Sequence, residues 1–309
     1  MAKRVRIGTF NVENLFARFT FREEYTQAEL KNVVQDGWLA DQTKFVLRDD
    51  KEKRLTAKAI REINADILAL QEVENLDVLK RFNTQHLKEL NYRYLLVIDG
   101  NDPRLIDVGI LSRYPFASIR THQFQRTSSG RAYIFSRDCL EVDIQIASDT
   151  RLPIFVNHFK SMIGGRDETM NKRKAQAAMV IRILMERFGP NPSNEKFVVL
   201  GDLNDYMPSP GLEPLVGKDW LENIVQTRLN PDERWTHYYA GGNEYRQLDY
   251  ILLSQALALA PGNKDARPEI ERRGLPKRAT KAGVKHFPGV GDNKPKASDH
   301  CPVVIEINV

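Results

Sequence analysis

Short apolar runs recur along the whole chain at lengths suited to strands. They are Val5–Val12, Ile67–Glu72, Tyr94–Ile98, Val108–Ser112, Tyr133–Phe135, Cys139–Ile146, Pro153–His158, Phe197–Gly201, Gln247–Leu253 and Val303–Ile307. Many are rich in Val, Ile, Tyr and Phe, whose branched or aromatic side chains suit a pleated surface. Three stretches carry helical spacing instead. Leu55–Ile63 is one. Asn75–Leu90, with Leu76, Leu79, Phe82, Leu87 and Leu90, is a second, and Asn75 or Glu74 is placed to cap it. Lys172–Phe188 is the third, with Ala175, Met179, Ile183 and Phe188 near one stripe and Gly189-Pro190 as its stop.

Strands and helices are interspersed, and several strands follow one another through short turns. That mixture predicts layered α/β structure with mixed sheets, not a purely parallel doubly wound sheet. No internal repeat or linker divides the chain, so residues 1–309 are read as one domain. Two segments break the pattern. Residues 17–54 are charged and weakly periodic, and read as a long insertion. Residues 262–297 hold ten Lys or Arg against four Asp or Glu, either a solvated loop or a basic loop beside a site for phosphates.

A second pattern lies on the first. Apolar runs repeatedly end in polar residues of catalytic type, where α/β folds place their sites. Asn11 follows Ile7–Phe10. Glu72 follows the run from Ile67, and a buried carboxylate there needs a partner such as a metal. His158 closes Ile154–Val156, among Asn157, Lys160 and Ser161, all able to contact an anion. Asp202 and Asn204 are two apart, so an extended backbone projects both to one face. Asp249 lies inside an apolar run and needs a donor such as a His ring, and Asp299-His300 opens the last run. Each signal alone has an ordinary structural explanation, since Asn forms turns and acids cap helices. Together they supply hard oxygen donors with few imidazoles or thiols, a set that suits Mg²⁺ or Mn²⁺, one or two ions, better than zinc.

The net charge of +5 is a mild bias, compatible with a polyanionic substrate. The two cysteines, Cys139 and Cys301, are read as free thiols in the core rather than a disulfide framework. No run of about 18 apolar residues predicts a membrane span, and the basic N-terminus is followed by no apolar leader. The expectation is a cytoplasmic protein without membrane contact.

The segments Phe10-Asn11-Val12-Glu13-Asn14, Leu70-Gln71-Glu72, Asp107–Ser112, Asn157-His158-Phe159, Gly201-Asp202-Leu203-Asn204, Leu248-Asp249-Tyr250 and Ser298-Asp299-His300 come in an order that resembles the endonuclease/exonuclease/phosphatase (DNase-like) superfamily. That group includes pancreatic-type DNases, class II abasic-site endonucleases, neutral sphingomyelinases and inositol polyphosphate 5-phosphatases. The likeness runs from residue 7 to 307. It implies a four-layer α/β sandwich, with two packed mixed β-sheets flanked by helices and the site at one edge. It implies a divalent ion held by Glu72 with Asn11 and Asp299. It implies that His300, paired with Asp249, activates water or steadies the phosphate, that Asp202 and Asn204 orient the water, and that His158 binds phosphate or acts as an acid.

His158-Phe159-Lys160-Ser161, Gly164-Gly165, Arg173 and Gln176 are similar to a bacterial nuclease branch, in which Lys160 and Arg173 contact phosphate. Arg173 is equally readable as a solvated helix face. Arg104 and Asn157 are further candidates to bind phosphate. Leu105-Ile106 stands where abasic-site enzymes carry a Tyr, which argues against abasic-site repair. The expected activity is metal-dependent phosphodiester hydrolysis of DNA or RNA. The alternatives are a phosphatase or phosphodiesterase for a small or lipid phosphoester, and an inert binding module on the same fold.

Overall fold

The computed structural model describes residues 2–16, 19–21, 34–35, 38–39, 45–47 and 50–309. Most of the expected insertion at 17–54 lies outside these residues. Its end does not: Asp50–Ile63 forms one helix (α1), so the helix begins earlier than the apolar spacing alone indicates. The acidic Asp50 and Glu52 sit in its first turn, where the helix dipole favours them.

Two six-stranded sheets form the centre of the molecule. The first contains β1 (Arg4–Leu15), β2 (Ile67–Val73), β3 (Tyr94–Val97) and β4 (Asp107–Ser112). The second contains β5 (Phe116–Arg120), β6 (Cys139–Ala147), β7 (Thr150–His158), β8 (Val198–Asp202) and β9 (Leu221–Asn223). Strands β10 (His237–Tyr239) and β11 (Glu244–Arg246) make a separate hairpin, and β12 (Asp249–Ser254) joins the second sheet. The chain returns to the first sheet with β13 (Glu269–Ile270) and β14 (Val303–Asn308). The orders are β13-β14-β1-β2-β4-β3 and β9-β12-β8-β7-β6-β5. Each sheet has one parallel pair, β1 with β2 and β7 with β8, and is otherwise antiparallel.

Side-chain alternation divides the core into layers. Val5, Ile7, Ile154, Val156, Val198, Leu200, Ile251 and Leu253 meet between the sheets. Phe10, Leu68 and Leu70 face outward against α1 and α2 (Leu76–His86). Phe155, Val199, Tyr250 and Leu252 face the other way, against α3 (Arg166–Phe188). The result is the expected helix–sheet–sheet–helix sandwich. Asn75 caps α2, its side chain accepting from the Val78 N–H at 2.9 Å. Both cysteines are buried and free, and no described helix is long and apolar enough to cross a membrane.

Some expectations fail locally. Tyr133–Phe135 forms no strand, only an isolated bridge from Tyr133 to Arg126. α3 starts at Arg166, six residues before the expected start at Lys172. Strands β5, β9 and β13 and the hairpin were not legible, because elements of two to five residues show too little alternation to stand out.

Candidate active site

The parallel pairs explain why the polar residues converge. β1, β2, β7 and β8 all end at one edge of the sandwich. Their antiparallel neighbours β12 and β14 begin there. Across the second sheet His158 pairs with Asp202, and Asp202 with Asp249, in one row. All three continue the apolar row between the sheets, so they face Asn11 across the gap.

Asp202 is the centre. Its Oδ2 lies 3.0 Å from Asn11 Nδ2, 3.0 Å from Asn204 Nδ2, 3.5 Å from His158 Nε2 and 3.8 Å from His300 Nε2. Its Oδ1 accepts from the Asn204 N–H at 2.8 Å. The second Asn11 amide hydrogen reaches Glu72 Oε1 at 3.2 Å. His300 Nδ1 is 2.9 Å from Asp249 Oδ2, which also accepts from the Thr236 hydroxyl at 2.7 Å. Gly201 makes the close approach possible. A Cβ there would lie 1.9 Å from the Asn157 carbonyl oxygen of the neighbouring strand.

Glu72 reaches this edge by a device that alternation does not foresee. In β2, Ile67 and Ala69 face the other sheet while Leu68 and Leu70 face the helices. Glu72 should follow Leu70 outward. Instead it takes φ +67°, and the register with β4 shifts between Gln71 and Val73. The bulge re-aims the carboxylate towards the cleft and sends Val73 to the helix side. A matching irregularity in β1, with Glu13 at φ +47° and Asn14 at +64°, brings the Asn14 N–H within 3.1 Å of Glu72 Oε2.

Electrostatics mark the pocket as built for positive charge. Burial raises the Glu72 carboxyl, and raises Asp202 to about 7 with help from Asp249. Burial and Asp299 raise Glu13 to about 7, even with Lys296 Nζ only 2.7 Å away. Burial and Arg137 hold His158 well below its ordinary value. His300 moves the other way: burial opposes its charged form, but Asp249 and Asp202 outweigh it. Asp249 Oδ1 is buried without a hydrogen-bond partner. Crowded buried carboxylates with an orphaned oxygen fit a divalent cation, which would neutralise them. Among the described residues, two groups of three have ligand atoms within 4.8 Å of one another: Asp202, Asp249 and His300, and His237, Asp299 and His300.

Glu72, His158, Asp202, Asn204, Asp299 and His300 all line one cleft of about 760 Å³. Arg104 lines it too, its guanidinium held 2.9 Å from Asp102. Lys160 does not line the cleft itself; its ammonium lies 3.4 Å from Oγ of Ser161, which does. Two expected phosphate contacts fail. Asn157 is fully buried and faces α3, donating to the Phe155 carbonyl at 3.2 Å, because it alternates with His158. Arg173 is neither a phosphate contact nor a solvated residue. It is fully buried and bonds Asp205 at 3.0 Å, Thr169 Oγ1, and the Arg166 and Lys160 carbonyls. Five of the ten cations in the basic segment 262–297 are engaged by the rest of the protein. Arg267, Arg273, Lys294 and Lys296 are ion-paired with Glu233, Glu62, Glu52 and Glu13, and Arg272 bonds backbone carbonyls.

Arg137 and His237, both lining the cleft, escaped the sequence reading. Arg137 is 2% exposed, lies 3.2 Å from Asp102 Oδ2 and donates to the Phe159 carbonyl. The one signal was a charged Arg137-Asp138 pair entering an apolar strand. His237 gave none, since its place depends on the hairpin folding back onto His300.

A sequence model of the Endonuclease/Exonuclease/phosphatase family matches residues 6–308. A search of curated proteins returns no match. Among solved structures, a Bacteroides thetaiotaomicron endonuclease/exonuclease/phosphatase family protein superposes with a TM-score of 0.63 at 15% identity, covering 100% of this chain and 98% of that one. The human Nocturnin catalytic domain with bound sulfate gives 0.61 at 16%, covering 98% and 93%. Danio rerio TDP2 complexed with a single-strand DNA product gives 0.59 at 15%, covering 99% of each. These likenesses carry the fold, and the family match carries the kinship. The chain belongs to the Endonuclease/Exonuclease/phosphatase family and is a divalent-metal-dependent hydrolase of phosphate esters.

Proposed function

We propose that the chain is a nuclease, cleaving phosphodiesters of DNA or RNA at the edge where Asp202 stands. The observation that carries the reading is the convergence of Asn11, His158, Asn204 and His300 on one buried carboxylate oxygen. Two similar structures, human Nocturnin with a bound sulfate and Danio rerio TDP2 with a single-strand DNA product, are in keeping with an anionic, polymeric substrate.

Glu72 and Asp299 would hold the ion, which is Mg²⁺ or Mn²⁺ by the preponderance of oxygen donors. Asn11 positions Glu72 and Asp202 through its amide N–H groups, and its amide oxygen, which accepts from the Glu13 N–H at 3.0 Å, is the atom with which it would help hold the ion. When bound, the ion supplies Lewis acidity to a phosphoryl oxygen. The protein supplies the rest. Asn204 and Asp202 orient the attacking water. Asp202, poised near neutrality, takes its proton as the oxygen–phosphorus bond forms. Neutral His158 and the arginines Arg104 and Arg137 face the non-bridging oxygens, where charge accumulates. The opposite phosphorus–oxygen bond breaks, and protonated His300 gives its Nε2 proton to the leaving oxygen. Asp202 then releases its proton to solvent and His300 takes one back, leaving both groups as they began. Asp249 holds the His300 ring in the productive orientation throughout.

The test is a substrate panel of plasmid DNA, RNA and bis-p-nitrophenyl phosphate, each with Mg²⁺, Mn²⁺ or EDTA. Cleavage of a polymer that EDTA abolishes supports the proposal. Turnover of the small ester with intact polymers points to a small-substrate phosphodiesterase, and no turnover of anything defeats the catalytic reading.

A further inference from the structure

Exposed apolar side chains are costly, and here several gather where the chemistry is. Ile163 is 77% exposed and Tyr239 is 57% exposed, and both line the catalytic cleft. Leu105, also exposed and held at φ +56°, lies between the cleft residues Arg104 and Ile106. They are interleaved with cations. Ile163 sits on a loop that ends at Gly164 and Gly165, with φ +98° and +111°, and leads into Arg166. The Arg166 guanidinium lies 3.9 Å from the Tyr206 ring centre, and Arg246 packs on the same ring at 4.5 Å. Arg246 pairs in register with His237 in the hairpin that carries Tyr239. Ile163, Arg166, Tyr206, Arg246 and Tyr239 thus form one wall, alternating apolar face and guanidinium.

We infer that this wall receives a single-stranded nucleic acid, with unpaired bases lying on Tyr239 and Ile163 and the backbone held by Arg166 and Arg246. The inference rests on the nuclease reading and narrows its substrate. A duplex offers phosphates but hides its base faces, so it leaves an exposed tyrosine and isoleucine without a partner. An unpaired strand offers both, since every base has a face to stack and every linkage a charge. The arginines are pre-placed for this: Asp205 and Glu244 fix them at 2.6 Å and 3.3 Å. The alternation of cation and apolar face repeats the alternation of phosphate and base along a strand.

The experiment compares one labelled oligonucleotide, unpaired and annealed to its complement, with metal present. The readout is the ratio of the two kcat/KM values within each variant, so a general loss of activity cancels. The wild type is expected to favour the unpaired strand by about ten-fold or more. Tyr239→Ala and Ile163→Ser each lower that ratio by several-fold, and Tyr239→Trp preserves it. A wild type that cuts both forms equally, or variants that keep the ratio, overturn the inference while leaving the nuclease reading intact. Turnover of bis-p-nitrophenyl phosphate with neither oligonucleotide cut overturns both. Vesicles of phosphatidylcholine and phosphatidylserine provide the remaining arm: binding that Tyr239→Ala abolishes, with an unchanged ratio, assigns the wall to a lipid surface instead.

Discussion

The rings of His237 and His300 lie against each other, their centroids 4.6 Å apart and tilted by 55°. The segment bearing His237 is tied to both halves of the His300–Asp249 pair. The Cys301 N–H donates to the Thr236 carbonyl, the Tyr238 N–H donates to the Asp299 carbonyl at 2.9 Å, and the Thr236 hydroxyl donates to Asp249. Burial and His300 lower His237 to about 3, so it stays neutral while its neighbour is charged. Its part is to wedge the His300 ring. His237→Ala is therefore expected to cut kcat by about ten- to a hundred-fold with a smaller change in KM. His237→Phe should restore most of the rate. If Phe proves as poor as Ala, the nitrogen facing Asp299 matters more than the wedge.

Asp249→Asn removes the charge that orients His300 and keeps it protonated. A loss of roughly 10³-fold in kcat is expected, with the fold retained. The sign of the pH effect follows from the raised His300. Without Asp249 its proton leaves at lower pH, so the alkaline limb of the kcat/KM profile moves to lower pH. An unmoved limb would mean that another group sets it.

Metal binding is expected to depend on pH. Asp202 is raised above its unfolded value, so the metal-free folded state keeps a proton that the unfolded chain has lost. Metal-free stability should fall as pH rises from the ordinary aspartate range through about 7, then level off. A divalent ion competes with that proton, as with the raised Glu72. The rise in Tm on adding Mg²⁺ or Mn²⁺ should be larger at about pH 8 than at about pH 6, and EDTA should remove it. An equal rise at both would place the ion away from these carboxylates.

Arg173→Ala separates support from substrate contact. It takes one of two arginines from the buried Asp205, which keeps Arg166 at 2.6 Å, and leaves the Arg166 and Lys160 carbonyls without that donor, at a cost of roughly 1–3 kcal/mol. Thermal unfolding should show the loss, while KM for the phosphoester stays near its original value. A raised KM with an unchanged Tm would return Arg173 to the substrate.

Asp202→Ala takes away the oxygen on which four groups converge. Several orders of magnitude in rate should disappear with the circular dichroism spectrum unchanged. His300→Ala is expected to behave alike, and activity near that of the wild type in either would displace the chemical centre.

The sequence by itself determined the layered α/β class, most central strands, and the placing of Asn11, Glu72, His158, Asp202, Asn204, Asp249, Asp299 and His300 at strand ends. Those features are local: period-two alternation sets a strand, and a polar residue closing an apolar run marks where it leaves the core. It did not separate His158 from Asn157, neighbours in the chain that face opposite layers, because which face is the inner one depends on what each layer packs against. Nor did it show Arg173 as an internal ion pair, since the partner, Asp205, is 32 residues away. Only the tertiary structure decided these, along with the bulge that turns Glu72 inward and the hairpin that lays His237 on His300. The physical reason is common to all four: each depends on contacts between segments distant in sequence, and local propensity carries no information about which of them will meet.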